Sequence, residues 1–421
     1  MFQKTTLKNG LRIITVPQKN TQAATVLALV GTGSKYERKE INGVSHFLEH
    51  MYFKGTRKRP SSLAIAETLD KVGGIYNAFT GEEYTGYFAK TAANHFDLSL
   101  DLVSDIFLHS TLPAEEINKE RGVIIEEINM RQDHPIEHVQ TLWMKLLYGD
   151  QPAGWDIAGT KESVSAIQRE ALAQYMNNQY VASNTIISVA GKIEENSVIS
   201  KVKKYFARIK TTKPLEKPRV TDSQIQPNLL LETKKTDQTH LCLGVRAFNV
   251  FHPQKYAQEL LAVILGGMMS SRLFEEIRSK LGIAYYISAN SEANTDTGFL
   301  MTQAGLDNKN VEKGILTILK EYKKLSQKRI PLTELKKAKD YLKGKTTLLL
   351  EASDAQASFY ASQELLEKEI LTPKEIFTKI DRVAPDDILK LSQNIFKPEK
   401  LNLALIGPFE DKIKFQKLLR L

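Results

Sequence analysis

The chain has 421 residues, 42% hydrophobic and 25% charged, which suits a soluble globular protein large enough for two or more full cores. Its formal net charge is +9, but the lysines are scattered along helical stretches (Lys201, Lys203, Lys204; Lys336, Lys337, Lys339) without interleaved aromatics. We read solvated faces and expect no nucleic-acid partner. A single cysteine, Cys242, excludes an internal disulfide framework, and no stretch approaches the ~20 continuous apolar residues of a membrane span. Residues 1–10 lack the apolar core of a secretory signal and the Arg-rich look of a transit peptide, so a cytoplasmic location is expected.

In chain order, residues 11–16 read as a strand after an Asn9-Gly10 turn, and the continuous apolar run 23–30 reads as a buried strand. Gly31-Thr32-Gly33-Ser34-Lys35 lacks the spacing of a phosphate loop. The run Asn42-Gly43-Val44-Ser45-His46-Phe47-Leu48-Glu49-His50-Met51 carries the strongest chemistry. His46 and His50, four residues apart, project from one helical face and can both reach one metal ion at ~2.0–2.1 Å. Glu49 shares that face, where a carboxylate can take a proton from water activated by the metal. Gly43 offers a flexible entry and Ser45 a cap. Two histidines at this spacing also occur on surfaces and in cores without a metal; the Glu between them favours the metal. With eight His and one Cys in the chain, the third ligand is expected to be a carboxylate.

Residues 62–72 read as a helix, and 73–80 with 84–90 as a hairpin. If its first strand lies at a sheet edge, Asn77, Ala78 and Phe79 can pair with an extended peptide; a plain interior hairpin fits the sequence equally well. Helices follow at 94–108, 113–131, 137–147 and 163–179, then a strand at 185–190 and a helix at 195–209. In 113–131, Glu120 and Glu127 are seven apart and share a face with Val123 and Ile124. A buried carboxylate there needs a partner or a metal, while Glu126 points about 100° away from Glu127. On spacing alone, a charged helix with solvated glutamates fits as well. Of the other histidines, none has a partner at ligand spacing except His134 and His138, and Pro135 breaks the helix between them.

Residues 210–227 are polar, hold three prolines and read as an extended linker. The second half repeats the first at an offset of 216: Leu172 matches Ile388, Tyr180 Phe396, Ile187 Leu403 and Gly191 Gly407. At that offset His46, Glu49 and His50 face Ala262, Leu265 and Gly266. Aligning Pro113 with Pro331 sets Ala338 against Glu120 and Lys345 against Glu127. The second copy is expected to keep the fold without the metal. The expected domains are 1–209, catalytic, and 228–421, homologous and metal-free.

His-x-x-Glu-His is the inverted zincin motif. The run from His46 to Thr56, followed by Glu120-Arg121-Gly122-Val123-Ile124-Ile125-Glu126-Glu127, resembles the pitrilysin/insulinase family of zinc metallopeptidases. Its nearest likeness is to the mitochondrial processing peptidase and its bacterial relatives. The resemblance implies an α+β fold, with two homologous domains that each pack helices on one face of a mostly antiparallel sheet. It implies one zinc per chain on His46, His50 and Glu127, with Glu126 as the alternative third ligand. Glu49 becomes the general base and Glu120 the residue that supports the ligands. The Arg-x6-Tyr element of the family matches Arg278 and Tyr285, which then hold the peptide and the developing oxyanion, and its edge strand matches Asn77, Ala78 and Phe79. The activity implied is endopeptidase cleavage of peptides or unfolded segments in an enclosed cavity. The likeness also implies pairing, as a homodimer or with an inactive homologue. The alternatives are a non-catalytic subunit of the same fold, a metal-binding peptide trap, or manganese or cobalt in place of zinc.

Overall fold

Two sheets, one from each half of the chain, organise the computed structural model, which describes residues 2–421. The first contains β1 (Gln3–Thr6), β2 (Arg12–Pro17), β3 (Ala23–Val30), β4 (Ile75–Thr80), β5 (Thr85–Ala92) and β6 (Thr185–Gly191), in the order β1-β2-β6-β3-β5-β4. Only β2–β6 is parallel. The second contains β7 (Asn228–Thr233), β8 (Gln238–Ala247), β9 (Ala284–Ala293), β10 (Gly298–Asp307) and β11 (Leu401–Gly407), in the order β7-β11-β8-β10-β9. Here only β11–β7 is parallel. The α+β, mostly antiparallel class expected from the sequence is what the chain adopts, but each sheet carries helices on both faces and not on the one face expected.

The central strands are apolar on both sides because both sides are covered. Ala24, Val26, Ala28 and Val30 of β3 face a core with Leu100 and Val103 of the helix Phe96–His109 and Val198 and Val202 of Glu195–Tyr205. The alternate residues Leu27 and Leu29 join Ile14 and Ile186 under Ala357, Tyr360 and Ala361 of the helix Ser353–Ser362. The second sheet repeats this plan. Leu241, Leu243 and Val245 of β8 pack with Leu260, Ile315, Ile318 and Ile388. On its other side Cys242, Met301, Ala404 and Ile406 lie with Val139, Leu142 and Trp143 of the helix Pro135–Tyr148.

The two compact units are therefore discontinuous: 1–129, 155–218 and 348–370 form one, and 130–154, 219–347 and 371–421 the other. This differs from the continuous halves expected at 1–209 and 228–421. Every sheet keeps the strands of its own half, but one helix from each half covers the second face of the other half's sheet. Fully apolar strands announce that both faces are buried; they do not say which helix buries them.

Within the second unit the transferred helix is pinned at both ends. His138 Nε2 lies 2.9 Å from Glu232 Oε2 on β7. The Arg246 guanidinium donates to the Leu147 carbonyl and lies 4.9 Å over the Tyr148 ring. Trp143, 1% exposed, meets Phe299 edge-on at 5.9 Å. Trp143→Ala is expected to lower the unfolding free energy by about 3–5 kcal/mol. Urea denaturation checks this, and a loss below about 1 kcal/mol would show that the helix contributes little to its unit.

Three local expectations need correction. The helix expected over 163–179 is two, Lys161–Ala166 and Arg169–Gln179, the first opened by a Thr160–Ser163 capping box. The helix expected to reach 209 ends at Tyr205. The stretch 210–227 forms no helix or strand, and it is held down: Lys217 Nζ sits 2.8 Å from Glu83 Oε1, and the Thr221 amide donates to Gln151 Oε1 at 3.0 Å. The repeat is seen directly. The helices Arg169–Gln179 and Pro385–Ile395, and the strands β6 and β11, begin 216 residues apart. Among the described residues no helix is long and apolar enough to cross a membrane.

Candidate metal centre

The helix Val44–Met51 is short, and most of its face is buried: Val44, Phe47, Leu48 and Met51 belong to the core of the first unit. That leaves His46, Glu49 and His50 to a common edge. The second contributor is the helix Ala114–Asp133, whose inward row is Ile117, Glu120, Ile124 and Ile128. Of Val123 and Ile124, both expected on the face of Glu120 and Glu127, only Ile124 is buried, and Val123 is 50% exposed.

His46, His50 and Glu127 converge, with one ligand atom from each lying within 4.8 Å of the others. Glu127 Oε2 is 3.6 Å from Nε2 of His46 and 3.6 Å from Nε2 of His50. The imidazole centroids are 4.8 Å apart. Donors in a tetrahedral site with bonds of ~2.0–2.1 Å are separated by roughly 3.3 Å, close to these values. The donor chemistry agrees. His50 Nδ1 lies 3.0 Å from Glu120 Oε2; a neutral imidazole that donates there leaves Nε2 as a lone pair on the side of Glu127. In that tautomer Nε2 and the Glu127 carboxylate are both acceptors, and a cation between them would satisfy both. The residues fit a divalent metal. Glu126 is exposed and is not in the converging group.

Glu120 is buried and accepts from Lys54 Nζ at 2.6 Å as well as from His50. Burial pushes its carboxyl up, but the hydrogen bonds from His50 and Lys54 outweigh it, and the group titrates below the usual range. It is therefore a charged orienter of His50. Glu49 goes the other way. Burial raises its carboxyl above the usual range, against the hydrogen bond from Thr80 and the attraction of His50. Thr80 Oγ1 donates to Glu49 Oε2 at 2.5 Å. Thr80 closes β4, so the hairpin and the helix Val44–Met51 hold the carboxylate between them.

β4 pairs only with β5 and forms the edge of its sheet. Asn77 is exposed, Ala78 buried and Phe79 half-buried along it. Arg278 and Tyr285 belong to the second unit. Arg278 is exposed on a π-helical segment, Phe274–Lys280, and lies 4.9 Å over the Phe274 ring. Tyr285 is 65% exposed on β9, another edge strand, while Tyr286 turns inward and pairs with His240 Nδ1 at 3.0 Å. Of the two tyrosines, Tyr285 is thus the one open to a ligand. At the repeat positions in the second unit, Ala338 is buried, and a Cβ on Gly266 would meet the Ala289 backbone nitrogen at 2.3 Å.

Sequence reasoning missed two residues. Thr80 is one; a threonine at a strand end gives no signal of its partner. The other is Glu37. Ser45 is not the cap that the sequence suggests; its own amide donates to Glu37 Oε1 at 2.8 Å, and the Gly43 amide donates to Glu37 Oε2 at 2.7 Å. The cap comes from outside the helix. A glutamate eight residues before Ser45 could have been noticed only by asking which side chain meets the amides that Gly43 leaves bare.

Residues 12–161 match the family model "Insulinase (Peptidase family M16)", and residues 166–342 match "Peptidase M16 inactive domain". The zinc protease YmxG of Bacillus subtilis is 37% identical over 97% of this chain and 98% of its own length. A zinc protease of Rickettsia felis is 33% identical over 97% and 98%. A protease structure from Helicobacter pylori superposes with a TM-score of 0.90, covering 97% of this chain and 100% of that one at 24% identity. A chain of Complex III2 from Candida albicans does so at 0.84, with full coverage of both and 19% identity. The last two show the fold alone. The chain belongs to the M16, or pitrilysin/insulinase, family of peptidases, and its second matched region is the domain type described as inactive.

Proposed function

We propose that the protein is a zinc-dependent endopeptidase of peptides or unfolded segments. The observation that carries this is the convergence of His46, His50 and Glu127 beside Glu49. A bound zinc ion would polarise the scissile carbonyl and lower the pKa of a coordinated water to ~7. Glu49 takes the proton of the attacking water and delivers it to the departing amine. Its burial suits the task, since a carboxyl raised above the usual range takes up a proton more readily than a solvated one. Glu120 keeps the His50 proton on Nδ1. The open edge of β4 around Asn77, Ala78 and Phe79 receives the substrate backbone, which gives affinity with little sequence demand. Arg278 holds the substrate main chain, and Tyr285 donates to the developing oxyanion. One zinc per chain, a homodimer in the cytoplasm and no membrane or nucleic-acid partner complete the reading. A partner of the inactive type is the other assembly the family resemblance offers.

The competing reading is a binding subunit without turnover. Glu49 counts against it, because a peptide trap or structural metal needs no base beside the ligands. Cleavage of a quenched, unfolded peptide library by the purified, zinc-loaded protein decides between them.

Thr80 gives a finer test. Thr80→Val removes a hydrogen bond to a charged group worth roughly 1.5–3 kcal/mol. We expect kcat to fall on the order of tenfold or more, with KM nearly unchanged. Steady-state kinetics on one peptide measure both, and an unchanged kcat would remove Thr80 from the account.

A further inference from the structure

The metal helix has no cap of its own. Gly43, at its N-terminus, has φ 95°, a left-handed conformation that favours glycine. A Cβ there would meet the Ala158 carbonyl oxygen at 2.6 Å. No capping side chain can therefore stand at this position, and His46, a ligand, is only the third residue of the helix. First-turn amides have no partners within a helix, and that turn is the first to fray.

A single carboxylate supplies what is missing. Glu37 is 1% exposed and accepts from the Gly43 amide at 2.7 Å, the Ser45 amide at 2.8 Å and Asn42 Nδ2 at 2.9 Å. The charge also complements the positive end of the helix. The other side of Ser45 is fixed too, since its hydroxyl donates to Tyr175 Oη at 2.9 Å. Tyr175 Oη in turn pairs with Thr32 Oγ1 at 2.7 Å and donates to the Gly33 carbonyl at 3.2 Å. Burial pushes the Glu37 carboxyl up to about 7, against the pull of these donors, so its amide partners are what favour the charged form.

The segment that carries Glu37 is itself tied to the general base. The Ser34 amide donates to the Gly81 carbonyl at 3.3 Å, and the Lys35 amide donates to the Glu82 carbonyl at 3.0 Å. These are the turn residues directly after Thr80, which holds Glu49. Gly33 passes this turn so closely that a Cβ would lie 2.1 Å from the Gly81 oxygen. The Gly31-Thr32-Gly33-Ser34-Lys35 stretch, dismissed as a phosphate loop, thus acts as a strut between the metal helix and the base.

We propose that Glu37 is a positioning residue: by capping the helix Val44–Met51 from outside, it sets the direction in which His46 presents its imidazole to the metal. His50, one turn later, has Glu120 for the same purpose, so the two histidines are oriented by different carboxylates. The inference rests on the metallopeptidase reading of this site.

The test compares wild type with Glu37→Gln, which keeps the size but turns one acceptor into a donor facing a donor. Zinc affinity is measured by chelator competition, the cobalt-substituted protein by its visible spectrum, and peptide turnover separately. We expect zinc to bind 10–100-fold more weakly, as for other residues that orient ligands. We also expect a weakened tetrahedral cobalt band and a lower kcat at saturating zinc, with KM within about threefold. Glu37→Asp, which reaches less far, should be intermediate, and it serves as the test if the Gln variant does not fold. A variant that melts earlier but keeps wild-type zinc affinity, cobalt spectrum and kcat would overturn the proposal and leave Glu37 a fold residue. Zinc affinity is read without turnover. A wild type that binds zinc but cleaves nothing would therefore sink the peptidase reading alone.

Discussion

Glu49→Gln is expected to abolish turnover while leaving zinc in place. The carboxylate is not among the converging ligand atoms, so the amide should not disturb His46, His50 or Glu127. Glu49 accepts a hydrogen bond from Thr80 Oγ1, and a glutamine oxygen can still accept it. The helix and the hairpin should stay as they are. What is lost is the proposed base, and general acid–base catalysis contributes roughly 10²–10⁴-fold. The check is kcat on one unfolded peptide with metal content measured on the same preparation. A Gln variant that binds zinc and cleaves within tenfold of wild type would show that another group moves the proton.

The second large effect separates two adjacent glutamates. Glu127→Gln should cost most of the zinc affinity and with it the activity, whereas Glu126→Gln should alter neither. The reasoning is geometric: Glu127 Oε2 lies 3.6 Å from both imidazole Nε2 atoms, and Glu126 is exposed outside the group. Removing Glu127 leaves two neutral nitrogens with no anionic ligand, a weak site for a divalent ion. Glu120→Gln should fall between. Losing it frees the His50 tautomer and leaves the Lys54 charge without its partner, and ligand-orienting residues typically govern 10–100-fold in metal affinity. Chelator competition on the three variants gives the ranking, and zinc loss in Glu126→Gln with retention in Glu127→Gln would reverse the ligand assignment.

The parts of this protein that were legible in its sequence are those set by short-range geometry. His46 and His50 needed only helical spacing to be placed on one edge, and β3 needed only its run of apolar residues. The duplication was visible because β6 and β11, and the helices before them, keep one offset. Glu127 was proposed as the third ligand from the family resemblance, since spacing alone left the glutamates of Ala114–Asp133 undecided. What sequence reasoning missed depends on contacts across the fold. Glu37 becomes a cap only because the loop before it is laid against the turn after β4. Thr80 meets Glu49 only once the hairpin lies along the metal helix. The helices Pro135–Tyr148 and Ser353–Ser362 show an ordinary amphipathic pattern that does not encode which sheet they cover. A helical face is wide enough on spacing alone to hold both Val123 and Ile124, and packing buries only Ile124.

The most direct measurement is a cycle of metal removal and return on the wild-type protein, with zinc per chain and peptide turnover followed together. The account predicts one zinc per chain in the active form, no turnover after chelation, and recovery in proportion to zinc restored. Turnover that survives complete chelation, or a chain that never retains a metal on reconstitution, would contradict the site formed by His46, His50 and Glu127.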